Sequence, residues 1–322
     1  MANTTRTQIP AEVSNVYNKK LLYRAIPLFV HGLFAQQDKI GSRKGSNVMK
    51  WRRYGNLSSA TTALTEGTTP AGSQLSTTLV DATALQYGDF VTVTDVVSYL
   101  SPDAVLMEAA QILGDQAGQT MDDLTKDVLT AGTGVYYSGT GNTATDEVAA
   151  GDVLTQGNIQ TAVTALKNAS AKKITSYINP QTGDTTQAVK RAFVGINHVN
   201  MTPTIEAMAD FIPVTKYGNM GMIHPNEIGM VKEVRFIETE NADIFVGGGT
   251  GSIDVYPTLI MGADAYGITK ISGQELTNIV KPLGSAGTAD PLNQRATSGW
   301  KATFVAKILN DAFIKRIESA LV

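Results

Sequence analysis

ATALQYGDFVTVTDVVSYLSPDAVLMEAAQILGDQAGQTMDDLTKDVLTAG, residues 82–132, switches its hydrophobic period from two to 3.6 within a few residues. The alternation over Val91, Thr92, Val93 and Thr94 predicts a half-buried strand in the stretch that runs to Val97. Beyond it, Val105, Ala109, Ile112, Ala117, Leu124 and Val128 recur at helical spacing and predict the longest helix of the chain. Ser101 suits an N-cap, Pro102 the first turn, Asp103 the positive end of the dipole and Gly132 a C-terminal stop. At 1.5 Å per residue such a helix spans about 40 Å. Gly114 and Gly118 interrupt it one turn apart, each costing about 1 kcal/mol relative to Ala. Two explanations stay open: close packing, or a bend at these positions that differs between two states of an assembly.

Upstream, NVMKWRRYG (47–55) is β-prone and is parted from that strand by about thirty residues rich in Thr, Ser, Ala and Gly. A connection of that length is unusual inside a compact domain, so the flanking strands are expected to form a two-stranded arm projecting from the core. A two-stranded ribbon is marginal alone and would be ordered by lying on a neighbour. Within it, Arg52, Arg53 and Glu66 are the charged groups expected to touch another copy. Plain solvation is the competing reading, because exposed ion pairs are worth about 0–1 kcal/mol. Further upstream, AEVSNVYNKKLLYRAI (11–26) sets Val13, Val16, Tyr17, Leu21 and Arg24 near one helical face after Pro10. Periodicity does not decide between an arm helix and an ordinary first helix.

Downstream, GTGVYYSGTGNTATDEVAAGD (132–152) reads as irregular, and a new layer begins near Val153 with Ile159, Ala162, Val163 and Leu166 on one helical stripe. RAFVGINHVN, MTPTIEAMAD, VKEVRFIETEN and VYPTLIMGADAYGI then alternate as short strands and helices, which makes the class α+β. In GWKATFVAKILNDAFIKRIE (299–318), Trp300, Ala302, Phe304, Ala306 and Ile308 share one strand face, opposite Lys301, Thr303 and Lys307.

The chain has 322 residues, 43% of them apolar and 17% charged, which suits a globular protein with a substantial core. No cysteine is present, so disulfides, thiolate nucleophiles and thiolate metal sites are excluded. The net charge of -3 is unevenly spread: residues 1–55 carry ten Lys/Arg against two Asp/Glu, leaving -11 on the remainder. An opposite-sign split favours the arm of one copy lying on the body of another, with a nucleic-acid-binding tail as the alternative. The apolar stretch Leu21 to Phe34 is broken by Arg24, Pro27 and His31, so neither a signal peptide nor a membrane span is expected. The sequons at Asn3, Asn56, Asn168 and Asn200 are then expected to go unused.

Enzyme chemistry finds little to stand on. His31, His198 and His224 lack metal-ligand spacing and read as structural histidines. GGGTGS (247–252) lacks the lysine of a phosphate loop and the spacing of a dinucleotide loop, and reads as a flexible loop. Asp122 and Asp123 are adjacent on the helix and read as a solvated face. No catalytic residue, cofactor or metal site is expected.

Six stretches in order, VYNKKLLYRAIP, MKWRRYGNLSSATTALTEGTTPAGSQLS, QYGDFVTVTDVV, GTGVYYSG, NEIGMVKEVRFIETENA and LIMGADAYG, resemble the major capsid protein family typified by podophage N-four. The order of elements is similar to the Hong Kong 97-type capsid fold of tailed bacteriophages. That resemblance implies an N-terminal arm (1–48), an extended β-hairpin loop or E-loop (49–98), a spine helix with a peripheral domain (99–154), an axial domain (155–290) and a closing peripheral strand (291–322). It implies a non-enzymatic shell subunit that self-assembles into hexamers and pentamers around double-stranded DNA, without sequence-specific binding and away from membranes. Tyr17 and Arg24 join Arg52, Arg53 and Glu66 as intersubunit contact candidates, with Gly114 and Gly118 as bend candidates. Scaffolding, portal and decoration proteins are the implied partners, the virion capsid the location, and the host cytoplasm the place of assembly. Some relatives weld this loop to a neighbour through a lysine, but no lysine lies between Lys50 and Lys126, so no such weld is expected. The rival reading is the shell of a cellular encapsulin-like nanocompartment, which would enclose enzyme cargo.

Overall fold

A computed structural model describes residues 30–41, 46–100, 105–178, 185–217, 222, 224–285 and 290–321. The expected arm helix with Tyr17 and Arg24, and the expected cap residues Ser101, Pro102 and Asp103, lie outside these residues. Strand β1 (Gln36–Ile40) is followed by β2 (Val48–Tyr54) and β3 (Thr77–Thr83), which pair only with each other. β4 (Leu85–Thr94) then pairs with a strand of the body, so the two-stranded ribbon itself ends at Thr83. The strand stops before Val96 and Val97, contrary to expectation. Asp95 opens the short helix α1 (Asp95–Leu100), its Oδ1 accepting from Val96 N at 2.8 Å.

Helix α2 (Val105–Thr130) has 26 residues, about 39 Å at the standard rise. Its buried stripe is Ala110, Leu113, Ala117, Met121 and Leu129, and Gly114 and Gly118 lie on the same buried side of one unbroken helix. Ile112, expected in that stripe, is 65% exposed. Gly132 does not terminate the helix by a left-handed turn. A Cβ there would stand 3.2 Å from both Leu129 O and Asp311 Oδ1, so the glycine serves close approach to the chain's far end.

The segment read as irregular contains β5 (Val135–Tyr137), and α3 (Gln156–Asn168) follows with Thr155 as N-cap and Ile159, Ala162, Val163 and Leu166 fully buried. Then come β6 (Ile174–Ile178), β7 (Thr185–His198), α4 (Thr202–Glu206), β8 (Phe211–Pro213), β9 (Glu227–Val231), β10 (Val234–Thr239), β11 (Tyr256–Met261), β12 (Tyr266–Ile271) and β13 (Leu276–Lys281). The single closing strand expected over 299–318 is in fact two. β14 (Arg295–Ile308) and β15 (Ile314–Ser319) belong to different sheets, and the turn around Asp311–Phe313 carries the chain between them.

The five-stranded sheet runs β1-β12-β14-β13, with β4 added to β14, and is antiparallel except for β1 on β12. Its inner face buries Trp300, Ala302, Phe304 and Ala306 in a core shared with Leu113, Ala117, Met121 and Leu129 of α2. The eight-stranded sheet runs β5-β15-β11-β7-β10-β9-β8, with β6 on β7. Val194 and Ile196 of β7 join the α2 core, while Phe193 points to the other face and packs with Ile159, Val163 and Leu166 of α3. A strand buried on both faces reads as a continuous apolar run, as AFVGI does.

Gly195 in that strand is filled by its neighbours, because a Cβ there would lie 2.7 Å from two Phe236 ring atoms and 3.0 Å from Val234 Cγ1. Gly195→Ala is expected to destabilise the chain by about 1–3 kcal/mol, the usual effect of overpacking a core, measured as a lower denaturation midpoint in urea.

Candidate intersubunit surfaces

The β2–β3 ribbon holds seven register pairs, from Val48–Thr83 to Tyr54–Thr77. It is tied down at its root, where Trp51 Nε1 donates to Asp38 Oδ2 at 2.6 Å and Ala82 is buried. From Arg52 to Leu79 every residue is exposed, including Tyr54 (61%), Leu57 (54%), Leu64 (77%), Leu75 (69%) and Leu79 (58%). Five large apolar side chains exposed on one narrow ribbon and its tip make it a candidate interaction surface. The structure places Arg52 and Arg53 on opposite faces of the ribbon, because side chains alternate along a strand, and Glu66 beside Gly67 in the connecting tip. None of the three forms an ion pair among the described residues, so they are not brought together within one copy. Lys50 does pair across the ribbon with Asp81, at 3.5 Å.

A second surface is the outer face of the five-stranded sheet, where β4, β14 and β13 frame an open groove of about 640 Å³. Cross-strand register sets its rows. Phe90, Gly299 and Ile279 lie abreast, flanked on one side by Thr92, Thr297 and Lys281 and on the other by Gly88, Lys301 and Thr277. Phe90 is 67% exposed and Ile279 42%. Asp89 points to the opposite side of the sheet, where Gln116 Nε2 donates to its Oδ2 at 2.7 Å. That hydrogen bond, with the one from Phe90 N, holds its carboxyl below the usual carboxylate range.

A third is the solvent side of α2. Glu108, Ile112, Asp115, Gln119, Asp123 and Asp127 recur along one stripe, with Lys126 reaching Asp123 at 3.3 Å. The stripe is acidic, in contrast to the ribbon's Lys50, Arg52 and Arg53.

Asp122 corrects the reading of a solvated acidic pair: Asp123 is partly exposed, but Asp122 is fully buried. Its Oδ1 accepts from Val30 N at 2.9 Å and His31 N at 2.7 Å. Its Oδ2 accepts from Asn241 Nδ2 at 2.8 Å and lies 2.8 Å from His31 Nδ1. Tyr266 OH donates to His31 O in the same cluster. Burial pushes the Asp122 pKa up, but the hydrogen bond and charge of His31, with Asn241 and the His31 amide, outweigh it and hold the group below its ordinary value. The signal was in the spacing: on the helical wheel Thr125 falls between Met121 and Leu129, and Asp122 lies about 20° beyond Leu129, and both are buried. A second buried group is Arg235, whose Nε and Nη2 donate to Glu227 Oε1 and Oε2 at 2.6 and 3.0 Å while Tyr217 OH donates to Oε1 at 2.8 Å.

The other histidines close turns, His198 Nδ1 accepting from Asn200 N and His224 Nδ1 from Asn226 N, each at 3.1 Å. Burial lowers both their pKa values. GGGTGS is not a free loop. Gly249 N bonds Ile253 O at 3.0 Å and Thr250 N bonds Val148 O at 2.9 Å, pinning it to the segment before α3. Among the described residues no three His, Asp or Glu side chains gather as a metal site, and no helix is long and apolar enough to cross a membrane.

No protein-family model matches the sequence, and no curated protein does. Solved structures do match. The capsid of Ralstonia phage GP4 superposes with a TM-score of 0.68 at 13% identity, covering 90% of this chain and 87% of that one. The head structure of Helicobacter pylori bacteriophage KHP40 gives 0.62 at 12% identity over 90% and 88%. The cyanophage Pam1 capsid gives 0.62 at 12% over 92% of each chain. Identities this low speak for architecture, and coverage of nine-tenths leaves little of it outside the match: the chain has the fold of bacteriophage capsid chains.

Proposed function

We propose that this chain is the major capsid protein of a tailed bacteriophage, self-assembling into the head shell around double-stranded DNA. The observation that carries the reading is the β2–β3 ribbon with its tip, a structure whose tyrosine and four leucines stay in water unless another copy covers them. In the terms of the Hong Kong 97-type fold, the ribbon is the E-loop and α2 the spine helix. The five-stranded sheet is then the peripheral domain and the eight-stranded sheet the axial domain. Acidic α2 and the basic ribbon are of opposite sign, so copies set side by side attract. Each contact is modest, and closed symmetry multiplies it. Scaffolding, portal and decoration proteins would assist, assembly would take place in the host cytoplasm, and no step calls for catalysis. The nanocompartment reading has no specific observation in its favour.

Electron microscopy of particles formed by the purified chain tests this: uniform closed shells support it, and a chain that stays monomeric under every assembly condition refutes it. Arg52→Glu with Arg53→Glu is expected to raise the concentration needed for assembly by about fivefold to tenfold. That corresponds to roughly 1 kcal/mol per contact, and the effect should shrink at high salt while the melting curve stays unchanged.

A further inference from the structure

We infer that β1 is a releasable strap at the first of the ribbon's two roots, fastened by a charge clasp of Lys39, Glu275 and Lys270, and that its opening frees the ribbon to swing about the second root at β4. The strap acts within a single chain, before any neighbour is met. The two roots are unequal. β3 runs through Ala84 into β4, which pairs with β14 along all ten of its residues, Leu85 to Thr94. β1, which leads into β2, is an edge strand of five residues paired with β12 alone. Among its side chains Ile40 alone is buried, so little apolar surface resists detachment. The residues just before it are different: Val30, Leu33, Phe34 and Ala35 sit in the core around α2, which confines opening to Gln36–Ile40.

Each face of β1 carries a fastening. On the outer face Asp38 holds the Trp51 indole, whose ring lies so close to Gly267 that a Cβ there would stand 3.1 Å from Trp51 Cζ2. On the inner face Lys39 and Lys270 are register partners and lie side by side. Like charges directly opposed weaken a strand pair. Glu275, on the turn after β12, offsets this, its Oε1 lying 2.8 Å from Lys39 Nζ. The same turn ties down the end of the strap, because Ser272 N donates to Ile40 O at 2.9 Å. Lys270 makes no ion pair of its own among the described residues. Burial pushes its pKa below the ordinary lysine range, Glu275 pulls it back up and Lys39 lowers it again. Two amines thus share one carboxylate on the strand that bears the ribbon's weaker root, which holds β1 in place without locking it.

Hydrogen exchange of the unassembled chain near neutral pH tests this, since amide exchange in peptides covering Gln36–Ile40 reads local opening. Lys270→Met removes one of the opposed amines and is expected to slow exchange there by about threefold to fivefold. Lys270→Arg keeps the charge and should not slow it. Glu275→Gln leaves two amines without a carboxylate and should hasten it by about threefold to fivefold, and the double variant Lys270→Met with Glu275→Gln should return near the parental rate. All these differences should shrink at about 0.5 M salt. The Trp51 indole proton, followed by NMR, should exchange in step with the β1 amides, while β4 and β14 stay protected. Equal effects of Lys270→Met and Lys270→Arg, or no effect of either Lys270→Met or Glu275→Gln, overturn the clasp. Exchange hastened throughout the chain means general destabilisation and counts against it as well. An indole proton that does not follow β1, or β4 opening together with β1, overturns the swing about the second root. None of these results bears on whether the chain forms shells, which the assembly experiment decides separately.

Discussion

A chain in which Asn-Gly replaces residues 57–74 is expected to fold as well as the parent and to form no closed shells. The shortened ribbon keeps the Gly55 N to Ser76 O bond at 2.9 Å and closes with the four residues Asn56, Asn, Gly and Leu75, a length that hairpins use readily. None of the deleted residues is buried, so the cores around α2 and α3 lose nothing and the thermal midpoint should stay within about 1 °C. Assembly is different. Leu57 and Leu64 leave with the tip, and at their exposures of 54% and 77% each offers about 1–2 kcal/mol of apolar burial to a neighbour. A loss of about 2–4 kcal/mol weakens each contact roughly thirtyfold to a thousandfold, and each copy makes such a contact twice, once as donor and once as acceptor. Sedimentation velocity and electron microscopy read the result. Normal shells from the shortened chain would place the holding contacts elsewhere, and a molten monomer would mean that the tip supports its own core.

Much of this is legible in the sequence, and the parts that are not share a physical cause. Ile159, Ala162, Val163 and Leu166 stood out because α3 packs one face on one sheet, so the helical stripe is unbroken. The ribbon was legible because a long polar stretch between β-prone runs has no way to fill a core. Val96 and Val97 misled because β-branched residues favour strands, while Asp95 had already turned the chain into α1. Ile112 misled because it is apolar, yet it is turned about 100° from Leu113 and stands among the acidic residues of the solvent stripe. The pairing of β1 with β12, or of β7 with β10, left no local trace, since register partners such as Gln36 and Gly267 have no sequence signal in common. The outer groove escaped for the same reason, as its rows take residues near 90, 279 and 299 from three strands. Asp122 was missed by treating two adjacent carboxylates as equivalent, although neighbouring helical residues are turned about 100° from one another.

That turn decides the other large effect, because Asp122→Ala is expected to lower the stability of the unassembled chain by about 3–5 kcal/mol, among the largest losses a single change in this molecule should bring. Four donors lose their acceptor together: the amides of Val30 and His31, the His31 ring and the Asn241 amide, all within 2.9 Å. Each is left in the interior without water, which is why removing one partner costs more than the net worth of the bonds. The carboxylate joins three parts of the chain distant in sequence, the segment at Val30 and His31, helix α2 and the turn after β10, so its loss should be felt as a loosened Val30 segment as well as a lower midpoint. Asp122→Asn keeps an acceptor for the two backbone amides and is expected to cost less, about 1–3 kcal/mol. The pH dependence has a definite sign. The Asp122 pKa is lower in the folded chain than in the unfolded one, so its stabilisation is complete above the ordinary aspartate value near 3.9 and drains away as pH falls through the depressed folded value. Urea titrations of the parent chain and Asp122→Asn, taken downward from about pH 5, should therefore show a stability gap that narrows only below about pH 4. A gap that is absent at pH 5, or that widens in acid, would mean that the buried carboxylate does not hold the segment at Val30 and His31 in place.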